Sequence, residues 1–186
     1  EGQMPLWQYL GLCKTRVLIG SDTARTRVRT LIASAINAIK RKPQLKAEIY
    51  TARLESEAGA TDRNLKRYQG GTMDVEYIVQ MLQLTNGHAD DIQHSGTLLA
   101  LQKIQEHGLL EEDDAIALSK SYVFLRRVES GLRLMDTTHR HDLPEETLEL
   151  EKLASLLGYE SPQSLVTVCR RYRQDNRRRF ERIFNG

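Results

Sequence analysis

The 186-residue sequence is poor in the residues that interrupt helices or build rigid scaffolds. It has four prolines, two cysteines and one tryptophan, and aromatic residues make up 6% of it. Two cysteines, Cys13 and Cys169, are too few for a disulfide framework or a four-cysteine zinc site, which points to a reducing compartment, the cytoplasm. No apolar run approaches the roughly 18 residues needed to span a bilayer, so no membrane partner is expected. A signal peptide is also missing from the opening residues. The 27 Lys+Arg and 25 Asp+Glu nearly cancel, leaving +2, which excludes both a polybasic tail and an acidic tether. Alternation of β-branched and polar residues between turn signals is absent, and with it the signature of strands. The first residues, Glu1-Gly2 without an initiator methionine, are those expected of a piece of a longer protein.

What the sequence does have is helical periodicity from end to end. It predicts an all-α antiparallel bundle of about eight helices with no sheet, and one helical domain over 1–186. Residues 1–59 form N-terminal helices, 60–73 a functional loop and 74–186 the main bundle. A first helix is expected from Pro5 to Ile19. Ser21 and Asp22 cap a second, with Val28, Leu31, Ile32, Ala35 and Ile39 on one side. The longest, from Glu111 to Met135, carries Ala115, Leu118, Tyr122, Leu125, Val128, Leu132 and Met135 at steps of three and four. Ser161-Pro162 supplies the cap and first position of the last helix.

The stretch from Lys66 to Gln80 is the unusual one. Between Val75 and Leu84, seven of ten residues are apolar, and the exceptions Glu76, Gln80 and Gln83 form a narrow polar stripe. Such a helix is central, and its stripe must find polar partners, water or a ligand, since unpaired buried polar groups cost about 1–3 kcal/mol each. Gly70-Gly71 ahead of the helix leaves backbone N–H groups accessible where the helix dipole favours an anion, with Lys66 and Arg67 adding charge. The plainer alternative is a loop closed by an Asp74 cap, with Glu76 in the first turn.

Other candidates carry less chemistry. Seven arginines between Arg170 and Arg182 suggest a stand-alone nucleic-acid-binding module. Leu165, Cys169, Tyr172, Phe180 and Ile183 keep an apolar stripe through that stretch, so the arginines are expected on its solvated face. Arg126, Glu129 and Arg133 read as surface ion pairs. Arg133 with His139 fits the loose spacing of helical ribonucleases. The five histidines, His88, His94, His107, His139 and His141, do not pair with carboxylates at a ligand spacing, so no metal site is expected. Cys13 and Cys169 fall on apolar faces, where an inert thiol is usual. No nucleophile-and-base constellation emerges, and no catalytic residue is expected in this chain.

Lys66-x(3)-Gly70-Gly71-x(2)-Asp74-Val75-Glu76-Tyr77-x(2)-Gln80 resembles the Lys-x-Gly-x-Gly-Gly-x-x-Asp-Ile-Glu-Phe-x-x-Gln signature of the bifunctional glutamine synthetase adenylyltransferase/adenylyl-removing family. Leu12 to Val17 followed by Gly20-Ser21-Asp22, Arg53, the Leu125-Arg126-Arg127-Val128-Glu129 helix and Leu143-Pro144 are collinear with further family segments. Tyr68 stands where the family usually has glycine. The PII uridylyltransferases look like a more distant relative.

The resemblance implies a helical domain following a nucleotidyltransferase domain, in an enzyme that transfers AMP from ATP to glutamine synthetase or removes it by phosphorolysis. ATP and Mg²⁺ would be held mainly by that other domain. The partners implied are the chain's own nucleotidyltransferase domain, glutamine synthetase and the PII signal protein, and nucleic acid is not expected. Lys66, Gly70, Gly71, Asp74, Glu76, Gln80 and Arg53 are the implied nucleotide- or phosphate-proximal residues.

Overall fold

The computed structural model describes residues 4–86, 92–135 and 141–186. Eight α-helices follow one another: α1 (Leu6–Leu12), α2 (Asp22–Lys40), α3 (Leu45–Glu57), α4 (Thr72–Asn86), α5 (Thr97–Glu106), α6 (Glu112–Met135), α7 (Thr147–Leu157) and α8 (Pro162–Asn185). Among the described residues the only β-type pairing is one isolated antiparallel bridge, Asn64 with Asp142. The fold class expected from the periodicity is the one observed. The chain groups into two compact units, residues 1–52 with 76–115, and residues 53–75 with 116–186. Helices α3, α4 and α6 contribute residues to both.

In the first unit, α1 is much shorter than its periodicity suggests. It stops at Leu12, and Lys14 N–H and Thr15 N–H donate to Gly11 O and Leu12 O in a tightened last turn. The Thr15 hydroxyl also donates to Gly11 O at 3.0 Å. Glycine inside the helix and a β-branched residue after it lower propensity at this point. Leu18 and Ile19, expected on a helix, stand in solvent instead. The apolar side of α2 is likewise covered only toward its end: Ile36 and Ile39 are buried, whereas Val28 and Leu31 are exposed. Ser21 caps α2 as expected, accepting from Ala24 N–H. Ile78, Val79, Met81 and Leu84 are buried, in line with the expectation that α4 is a central helix.

The second unit is built on Leu125, Val128 and Leu132 of α6, Leu153, Ala154 and Leu157 of α7, and Leu165 and Cys169 of α8, joined by Leu65 and Leu143 from the loops. Glycine at position 131 brings α6 close to α7: a Cβ there would lie 2.9 Å from Leu153 Cδ1. Gly158, in the left-handed region at φ +80°, closes α7, and the N–H of Tyr159 then returns to Ala154 O. Ser161 and Pro162 start α8 as their spacing predicts, the Ser161 hydroxyl accepting from Ser164 N–H.

Both cysteines are buried and free. Burial pushes each thiol up to about 12, so neither is a thiolate near neutrality. A thiol reagent at pH 8 is therefore expected to label neither Cys13 nor Cys169 in the native chain, and both after unfolding in guanidinium. Rapid stoichiometric labelling of either native thiol would contradict this burial.

Candidate functional site

The signature segment is organised around a buried ion pair in the second unit. Arg53, in the last turns of α3, and Asp74, in the first turn of α4, are both fully buried, with Arg53 Nη2 2.5 Å from Asp74 Oδ1. The same nitrogen donates to the carbonyls of Arg67 (3.0 Å) and Tyr68 (3.3 Å), tying the loop to α3. Arg53 Nη1 reaches Ser56 Oγ and Glu57 Oε2, each at 3.2 Å. From α8, Arg177 Nη1 lies 3.0 Å from Glu57 Oε2 and 3.6 Å from Asp74 Oδ2. Burial pushes the Asp74 carboxyl above its ordinary value, opposed by the Arg53 and Arg177 guanidiniums and the Gly70 N–H.

The two glycines are occupied by the protein's own backbone. Gly70 N–H donates to Asp74 Oδ2 at 2.7 Å, and Gly70 O accepts from Asn176 Nδ2 at 2.9 Å. Asn176 is itself fully buried and receives the Ser121 hydroxyl at 2.5 Å. Gly70 has φ +76°, and a Cβ on it would lie 1.9 Å from the carbonyl oxygen of Arg173. A Cβ on Gly71 would lie 2.5 Å from Lys66 O. Close backbone approach is thus the reason for the diglycine, and what approaches is α8 and the loop's own chain. Helix α4 begins at Thr72, two residues ahead of the cap expected at Asp74. Asp74 sits inside the first turn, and its carboxylate reaches back to the loop.

Tyr68, the departure from the family pattern, also has a partner: the Arg173 guanidinium stacks over its ring at 4.9 Å. Arg67 lies against the end of α3, donating to Ser56 O and Ala58 O, which satisfies carbonyls that a helix terminus leaves without partners. Lys66 is held by its backbone: its N–H donates to Asn64 Oδ1 and its carbonyl accepts from Met73 N–H. Its half-buried side chain makes no ion pair among the described residues. Beside the loop lies a cleft of about 740 Å³ whose lining includes Arg63, Arg67, Asp142, Glu145, Glu146 and Glu149 but not Lys66.

Of the seven residues singled out by the sequence, the structure places Arg53, Lys66, Gly70, Gly71 and Asp74 in this unit. Glu76 and Gln80 belong to the other unit. There, Lys14 Nζ lies 2.5 Å from Glu76 Oε2, and Gln80 Nε2 donates to Leu10 O at 3.1 Å. Gln83 Nε2 donates to Ile92 O and His94 O. The polar stripe of α4 is therefore spent on α1, the turn after it, and the segment before α5.

Several contributors escaped the sequence reading. Arg173 and Arg177 turn toward their own unit rather than lining the solvated face: Arg173 stacks on Tyr68 and Arg177 pairs with Glu57, while Arg179 pairs with Asp175 along α8. Asn176 carried a legible signal, since it sits on the apolar stripe, four residues from both Tyr172 and Phe180. Glu129 is buried rather than part of a surface ladder. His139, the histidine of the ribonuclease spacing, lies outside the described residues, as does His88. Among the described residues no group of three His, Cys, Asp or Glu is assembled to hold a metal ion. Among the described residues no helix is long and apolar enough to cross a membrane.

These features define an all-α chain whose signature loop is locked by a buried arginine–carboxylate pair. The chain belongs to the family described as GlnD PII-uridylyltransferase, whose model matches residues 40–185. Among curated proteins its relatives include bifunctional glutamine synthetase adenylyltransferase/adenylyl-removing enzymes, the same enzymes that the Lys66–Gln80 signature resembles. That of Streptomyces coelicolor is 37% identical over 126 residues, 66% of this chain and 13% of the relative. That of Streptomyces avermitilis is 29% identical over 185 residues, 96% of this chain and 18% of the relative. That of Mycobacterium leprae is 33% identical over 145 residues, 75% of this chain and 14% of the relative. The chain thus spans less than a fifth of the length of these relatives.

The loop geometry makes a stability prediction. Gly70→Ala is expected to cost about 3 kcal/mol or more, because the left-handed backbone and the Arg173 carbonyl both oppose a Cβ. Gly59→Ala, at φ +73° in open space, is expected to cost only about 1–2 kcal/mol. Urea unfolding of the two variants measures the difference, and equal midpoints would refute the packing argument.

Proposed function

We propose that this chain is a helical companion domain of a longer nucleotidyltransferase that transfers AMP from ATP to glutamine synthetase or removes it by phosphorolysis, and so regulates nitrogen assimilation. The observation that carries the reading is the collinear likeness to enzymes of that name along nearly the whole chain, at 96% coverage for Streptomyces avermitilis. The loop geometry supports it: Lys66 extends from a backbone fixed on both sides, the arrangement suited to offering one positive charge to a phosphate with no further ordering of the backbone at binding. Gly70 and Gly71 serve that arrangement by letting the loop seat on α8. Arg53 and Asp74 serve it by tying the loop to the ends of α3 and α4. Glu76 and Gln80 act through α4, by holding α1 and the turn that follows it.

ATP and Mg²⁺ would be bound mainly by the nucleotidyltransferase domain. The described residues here assemble no group of three carboxylate, histidine or cysteine side chains that could hold the metal. The partners of this reading are that domain, glutamine synthetase and the PII signal protein, in the cytoplasm. The chain on its own would be inactive.

In the longer enzyme, Lys66→Ala is expected to lower AMP transfer about tenfold, the scale of one lost hydrogen bond to a charged group, with the melting temperature unchanged. Full turnover in that variant would overturn the phosphate role of the loop. Transfer of AMP to glutamine synthetase by the 186-residue chain alone would overturn its companion status.

A further inference from the structure

Glu129 occupies a place where an apolar residue would be expected. It lies on α6 next to Val128, and its side chain is only 1% exposed. One carboxylate oxygen takes Arg126 Nη1 at 2.7 Å, from a side chain that is 41% exposed. The other lies 3.0 Å from Nδ1 of His141. A buried carboxylate needs donors, so Nδ1 carries the hydrogen, and in the neutral ring this fixes the tautomer.

His141 begins a short segment laid against the signature loop. Leu65 N–H donates to His141 O at 2.7 Å, and Leu143 N–H donates to Arg63 O at 3.0 Å. Arg63 Nε donates to Leu143 O at 2.7 Å. Asp142 accepts from the Thr61 hydroxyl at 3.0 Å and from Asn64 Nδ2 at 3.1 Å. The residue after Leu65 is Lys66. Two hydrogen bonds, linked through His141 itself, therefore join a buried charge on α6 to the backbone of Leu65, the residue before the loop lysine.

Buried ion pairs add little net stability compared with apolar residues of the same size, and their best-attested use is to fix registry. We propose that Glu129 and His141 are positioning residues that clasp segment 141–143 to segment 63–65 and so set the backbone from which Lys66 projects. The clasp stands on geometry alone. Its consequence for AMP transfer rests on the reading given under Proposed function.

Amide hydrogen exchange of the 186-residue chain tests the clasp. His141→Ala and Glu129→Gln are expected to speed exchange at the Leu65 and Leu143 amides about tenfold, the scale of a lost hydrogen bond to a charged group. Phe180, buried in α8, should keep its protection. His141→Asn, which retains a donor near the Nδ1 position, should exchange within about threefold of the native chain. Unchanged Leu65 and Leu143 exchange in His141→Ala would overturn the clasp. So would a rise shared equally by Phe180, or a failure of asparagine to rescue. In the longer enzyme, His141→Ala should lower the kcat of AMP transfer and His141→Asn restore it. Faster exchange with unaltered transfer would uphold the clasp and refute the phosphate role of the loop.

Discussion

The pairing of Arg53 with Asp74 is the interaction on which the second unit is arranged. A guanidinium and a carboxylate taken wholly out of water have to satisfy each other and find further partners, because either one left alone would cost several kcal/mol. The partners here are the Arg67 and Tyr68 carbonyls, the Gly70 N–H, Glu57 and Arg177. Each further partner fixes another piece of chain. The end of α3, the start of α4, the loop between them and the middle of α8 are all specified by one buried charge pair.

The diglycine follows from the same constraint. For Gly70 N–H to meet Asp74 while Gly70 O meets Asn176, the loop backbone has to lie on the backbone of α8, closer than any side chain allows. A glycine-rich loop before a helix invites a phosphate reading on electrostatic grounds, but the Gly70 N–H here already has a carboxylate. The glycines and the acid of this motif therefore serve its architecture, and Lys66 projects from a backbone held on both sides.

The polar stripe on α4 follows a parallel logic in the first unit. Glu76, Gln80 and Gln83 interrupt an otherwise apolar helix, and each is answered where regular structure ends or is absent: the Lys14 side chain, the Leu10 carbonyl in the last turn of α1, and the carbonyls of Ile92 and His94. Irregular backbone carries donors and acceptors that no helix or sheet pairs, and amide side chains on a buried helix are a means of pairing them.

Helix number, the α8 start at Ser161-Pro162 and the core stripe of α6 were all legible in the sequence, because periodicity and capping are local effects. So was the importance of the Lys66–Gln80 stretch. The length of α1 was not, since its apolar pattern continues past Leu12 while Gly11 and Thr15 end the helix. Nor was the burial of Arg53, Glu129 and Arg177. A charged residue in a helix reads the same whether it meets water or a partner twelve to a hundred and twenty positions away in the chain. Composition and spacing set which elements form and where they stop. Only tertiary structure decided which charges are buried and what the glycines approach, because those depend on partners that local sequence does not encode.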